Sequence, residues 1–189
     1  MSCSVGIKYK NRIWIGADSA ASTEDQIEIR KDGKIFKKGP FIISFAGSYR
    51  IAQILQHSTR FPKQKIKDNM AYLCTSFVNR LRESLKKHGC LTIDSDTKTE
   101  DMDGELLVAF KGNLYVIGSD FQVAVVTTNF NAIGIGSPFA LGSLFTTESM
   151  SISPEERIRL ALASASNFST SVAPPFKIIT IKTKYRKEK

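Results

Sequence analysis

Long apolar runs are missing from this chain. No uninterrupted stretch approaches the roughly 18 residues that a helix needs to cross a bilayer, so no membrane span is expected. Cysteine is scarce as well, with Cys3, Cys74 and Cys90 the whole supply. That set makes neither a disulfide framework nor a zinc pattern, which points to a reducing compartment, the cytoplasm. Histidine is scarcer still. His57 and His88 stand far apart with no ligand spacing, so no metal and no other cofactor is expected, and both are read as surface residues. No Gly-x-Gly-x-x-Gly or phosphate-loop pattern occurs, which disfavours nucleotide binding. A serine–histidine–aspartate triad lacks the Gly-x-Ser-x-Gly elbow that would support it. The formal charge of +9 comes without an aromatic–basic platform, so nucleic acid is disfavoured too. The basic stretches at 30–38, 63–67 and 182–189 are read as solvated surface and a loose tail.

What is present suits a single domain. Apolar content of 42% over 189 residues can fill one sizeable core, assigned to residues 1–181 with 182–189 as a basic tail. The chain is organised around Met1–Asp18. Alternating Cys3, Val5 and Ile7 meet a charged break, then Ile13–Ala17 runs to Asp18, the pattern of a β-hairpin. This stretch has no long apolar core and no small-residue cleavage site, so no signal peptide is expected.

Ser19–Asp25 reads as a loop, and Asp32-Gly33 as a turn before Lys34-Ile35-Phe36. Phe41–Phe45 is a buried strand ended by Ala46-Gly47-Ser48, and helical spacing follows at Ile51, Ile54 and Leu55. Residues 67–88 form the clearest helix, with Met70, Leu73, Cys74, Phe77, Leu81 and Leu85 as its apolar stripe and Gly89 as its C-cap. Cys74 is accordingly read as a core thiol. The segment Cys90–Gly104 is an exposed loop, and close-spaced strands follow at 106–110, 114–119, 122–126 and 131–136. Ser137 before Pro138 has the form of an N-cap, as does Ser153 before Pro154-Glu155-Glu156. A last strand covers 176–181. Strand groups separated by helix pairs predict an α+β fold of packed sheets with helices outside.

One chemistry needs no histidine. If Met1 is removed, Ser2 presents a hydroxyl and an α-amine on one residue. An α-amine with a pKa of roughly 7.7–8.0 is partly neutral at pH 7 and can take the hydroxyl proton. It needs a nearby cation, a carboxylate to hold that cation, and an oxyanion donor. Lys34, Asp18 and the Gly47 backbone N–H supply those groups at element ends. Cys3 is the rival nucleophile, but exposing it takes a second cleavage, so it is read as a strand thiol.

These residues carry a resemblance to a known family. Ser2–Ile7, Ile15-Gly16-Ala17-Asp18, Lys34-Ile35-Phe36, Ser44-Phe45-Ala46-Gly47, Ala132–Gly136 and the closing helix and strand resemble the proteasome β-subunits. The likeness is greatest to the HslV peptidase branch of the N-terminal nucleophile hydrolases. It implies a four-layer αββα sandwich and a homo-oligomeric ring that hydrolyses peptide or unfolded protein, with an AAA+ unfoldase as partner. It also implies that Ser2 is the nucleophile, Asp18 and Lys34 the charged pair, and Gly47 the oxyanion donor. Ser2 stands where the family usually has threonine, and Ile135 where it has a serine. Two other readings stay open: a catalytically silent ring of the same shape, and an amidase acting on small amides.

Overall fold

The computed structural model describes residues 2–23 and 26–182. Met1, whose removal the Ser2 chemistry requires, and the tail beyond Lys182 lie outside the described residues.

Alternation at the start of the chain gives the expected hairpin. β1 (Ser4–Tyr9) and β2 (Arg12–Ala17) pair antiparallel and turn at Lys10, whose φ is 52°. β3 (Ala20–Ser22), inside the expected loop, then pairs with β4 (Ile27–Ile29) just beyond it. The Ala-Ala-Ser of β3 has no apolar alternation, so only its backbone bonds reveal it as a strand. β5 (Ile35–Lys38) and β6 (Phe41–Gly47) follow, and α1 (Tyr49–Gln53) opens two residues after Gly47 and runs into a π-helical turn at Ile54–Ser58.

α2 (Asn69–Tyr72), a second π-helical turn at Leu73–Phe77 and α3 (Val78–Lys87) continue one another. Asp68 caps the start by accepting from Ala71 N, and Gly89, at φ 66°, ends the run. Cys74 is exposed, contrary to its reading as a core thiol. Leu73, Phe77, Leu81 and Leu85 are fully buried at four-residue steps. A wider π turn keeps such steps on one face and rotates residue 74 off it.

Within Cys90–Gly104 a small hairpin, β7 (Thr92–Ile93) with β8 (Glu100–Asp101), replaces the expected loop. β9 (Gly104–Phe110), β10 (Asn113–Ile117), β11 (Val123–Val125) and β12 (Phe130–Ile133) come next. α4 (Ser137–Thr146) has Gly136 at its N-cap with no side-chain cap, so Ser137 is the first helical residue rather than the cap. α5 (Pro154–Phe168) is capped by Ser153, whose hydroxyl accepts from Glu156 N at 3.1 Å. β13 (Lys177–Lys182) closes the chain.

Two larger sheets result, ordered β12-β1-β2-β13 and β11-β10-β9-β6-β5. Strand alternation sorts their side chains by face. Ile13, Ile15, Ala17 and Ile133 of the first sheet meet Ile42, Ala46, Leu107 and Ala109 of the second in one cluster. The opposite face of the second sheet, with Phe41, Ile43, Phe45, Val108 and Phe110, packs on Ile51, Leu55, Leu73, Phe77 and Leu81. Val5, Ile7 and Ala132 of the first sheet, with Cys3 just ahead of β1, pack on Ala140, Leu144, Ile158 and Leu162. Gly16 lets α5 approach closely, since a Cβ there would stand 2.3 Å from Ile158 Cγ2.

Candidate active site

β1 begins where the two sheets meet, with Ser2 just ahead of it. In the first sheet it lies between β2, which is followed at once by Asp18, and β12. β6, facing it, ends at Gly47, and β5, paired with β6, is preceded by Lys34. The topology therefore brings Ser2, Asp18, Lys34 and Gly47 to one end of the molecule from four separate strands.

Asp18 is the hub. Its Oδ1 accepts from Lys34 Nζ at 2.7 Å and from Cys3 N at 3.0 Å. Its Oδ2 accepts from Ala20 N at 2.9 Å and Ala173 N at 3.4 Å. Neither side chain of the Asp18–Lys34 pair has exposed surface. Burial pulls the Lys34 ammonium below its usual range, and Asp18 opposes that shift. The Lys34 carbonyl is held by Phe45 N and by the Ser44 hydroxyl, which also meets the Ser4 hydroxyl at 2.7 Å across the two sheets. The cation is thus fixed at its backbone as well as its tip.

Ser2 is buried, and its carbonyl accepts from Gly136 N at 3.3 Å. Cys3 is buried, as expected, and stands just ahead of β1 rather than within it. Burial, with Asp18 adding to it, pushes its thiol up to about 12, against a lowering by Lys34. A thiol in that state is a poor nucleophile. Gly47 has φ 135°, and a Cβ there would stand 2.4 Å from the Asp103 carbonyl oxygen, so the turn from β6 into α1 needs glycine. His57 is exposed, His88 is half-exposed, and neither belongs to the site. Among the described residues no group of three potential metal ligands occurs.

Two residues that the sequence did not single out join this end of the molecule. Tyr49 stacks its ring under the Arg30 guanidinium at 4.4 Å and lies 5.9 Å from Lys34 Nζ. Its hydroxyl oxygen is buried with no hydrogen-bond partner among the described residues. Burial, then the Asp18 charge, pushes the Tyr49 phenol up, so it stays protonated. Glu105, second residue of β9, accepts from Gly134 N at 3.2 Å. Neither lies in a motif; an aromatic two residues past the Gly47 turn and a lone acid at a strand start give no periodic signal.

No family description matches the chain, and no characterised protein sequence does. Solved structures do. BPH from Thiobacillus denitrificans superposes with a TM-score of 0.81 at 23% identity, covering 96% of this chain and 98% of that one. Its complex with epoxomicin gives 0.81 at 21% identity, covering 97% and 100%. HslV from Trypanosoma brucei gives 0.67 at 15% identity, covering 95% and 99%. Over nearly its whole length, the chain has the α+β fold of BPH and HslV.

Proposed function

We propose that this chain is a proteasome-like peptidase in which Ser2, exposed by removal of Met1, is the nucleophile. The observation that carries the reading is the single buried carboxylate of Asp18, which holds both the Lys34 ammonium and the backbone N–H next to Ser2. A desolvated cation so placed favours the neutral form of a neighbouring amine. The Ser2 hydroxyl oxygen attacks the scissile carbonyl carbon while its proton passes to the α-amine. The Gly47 N–H donates to the oxyanion, and the new ammonium returns the proton to the leaving amine as the C–N bond breaks. The amine then activates a water that hydrolyses the acyl ester and frees Ser2.

The three side-chain clusters support a helix–sheet–sheet–helix order, the four-layer αββα sandwich. The fold shared with BPH and HslV supports a homo-oligomeric ring with the sites inside, acting on peptide or unfolded protein and fed by an AAA+ unfoldase. A cytoplasmic location agrees with the free cysteines.

Intact mass and N-terminal sequencing of the purified protein test the first step, with a chain beginning at Ser2 expected. Peptide hydrolysis by that material, lost in Ser2→Ala by 100-fold or more and retained in Ser2→Thr, is the second expectation. Full retention of Met1 in native protein sinks the proposal and leaves a silent ring. Turnover of small amides without cleavage of any peptide moves the activity to an amidase.

A further inference from the structure

Glu105 bonds the glycine that abuts Ser2, and the reaction above makes no use of it. Glu105 stands directly opposite Ala46 in the β6–β9 pairing, so its side chain shares the face that Ala46 turns toward the first sheet. There its carboxylate accepts from Gly134 N. Gly134, at φ 87°, is pressed against Ser2: a Cβ on it would stand 2.3 Å from the Ser2 carbonyl oxygen and 2.8 Å from Ala46 Cβ. Glu105 and Ser2 therefore share one glycine between them. A half-buried acid in the seam between two apolar sheets, anchored by one backbone N–H, contributes little to packing that an uncharged residue could not.

We propose that Glu105 is a positioning residue for the Ser2 α-amine, its carboxylate stabilising the ammonium that forms when the amine takes the hydroxyl proton. This rests on the reading of Ser2 as the nucleophile. The two charges act at different moments. Lys34 keeps the amine neutral before attack, and Glu105 offsets the positive charge once attack has begun. The charged groups that this end of the molecule brings together are Lys34 from just ahead of β5, Asp18 from just after β2, and Glu105 from β9, with exposed Asp103 just ahead of it. β6, β12 and α4 bring no charged side chain to this face.

Glu105→Gln tests the proposal, because the amide oxygen can still accept from Gly134 N while the charge is gone. The acid limb of the kcat/KM profile, which reports the amine, is expected to move down by about one pH unit. kcat falls roughly tenfold with little change in KM. Glu105→Asp keeps the limb where it is. A profile of Glu105→Gln that superimposes on the parent overturns the proposal. So does an equal loss in Glu105→Gln and Glu105→Asp with the limb unmoved, since that is structural support only.

A second measurement needs no turnover. The pH dependence of acylation of the N-terminal amine is compared in Ser2→Ala and Ser2→Ala/Glu105→Gln, each beginning at residue 2. A lower amine pKa in the double variant is expected, and identical curves overturn the proposal. If Ser2→Ala hydrolyses peptide as fast as the parent, the nucleophile reading fails and the Glu105 role falls with it. An active parent with a silent Ser2→Ala and no Glu105 effect removes the Glu105 role alone.

Discussion

Lys34 and Asp18 meet at 2.7 Å with no exposed surface on either side chain, a contact between residues sixteen positions apart in sequence. A charge pair that is completely buried costs more to break than to replace, because the partner left behind keeps its desolvation penalty.

Lys34→Met and Asp18→Asn should therefore each destabilise the fold, by about 3–5 kcal/mol in urea unfolding. The double variant should recover much of that loss. A double variant no better than the sum of the two singles would show that the pair is not coupled. Peptide hydrolysis, if Ser2 is the nucleophile, is lost in all three.

Gly47→Ala places a Cβ 2.4 Å from the Asp103 carbonyl oxygen in a backbone conformation that L-residues rarely adopt. A loss of about 1–3 kcal/mol is expected. The fall in kcat should exceed any change in KM, because the displaced N–H would serve only the oxyanion. Urea melts and steady-state kinetics on one preparation read both effects.

The cysteines should separate cleanly by labelling. In the folded protein Cys74, exposed, reacts with iodoacetamide, whereas Cys3 is labelled only after unfolding. The same burial sets an alkaline limit. An unfolded cysteine loses its proton near pH 8.5, while folded Cys3 holds its proton up to about 12. Above pH 8.5 the unfolded chain binds fewer protons than the folded one, so stability falls as pH rises toward about 12. Cys3→Ala removes that contribution, and its decline should be shallower by up to about 1.4 kcal/mol per pH unit in this window. Chemical denaturation at pH 8, 9 and 10 measures it.

Much of this arrangement was legible in the sequence where periodicity and burial agree. Val5 and Ile7, Ile13 and Ile15, and Phe41–Phe45 announce strands because each is packed on at least one face. The helix at 69–87 was legible because its stripe spans several turns. The sequence also led to Asp18, Lys34 and Gly47 as a set, since a nucleophile without histidine needs those groups.

What stayed hidden has physical reasons. β3 is too short and too small to show a period. Cys74 lies one π turn away from where an ideal helix would bury it. Ser137 lost the cap to Gly136 because the helix begins one residue earlier than the Ser-Pro pair suggests. Glu105 is visible only through the pairing of β9 with β6, a long-range register that no local spacing encodes.

The Asp18 carboxylate ties together the start of β1, the segment entering β3, the residue before β5 and the chain at Ala173, up to 155 positions away. The Lys34 bond cannot form until both sheets exist and have docked, since its donor stands just ahead of β5 in one sheet and its acceptor just after β2 in the other. The site is thus a late product of folding. A nascent or partly unfolded copy has its Ser2 but not the buried Lys34–Asp18 pair. If Ser2 is the nucleophile, hydrolytic power is confined to finished molecules, and a chain still folding could not digest its neighbours.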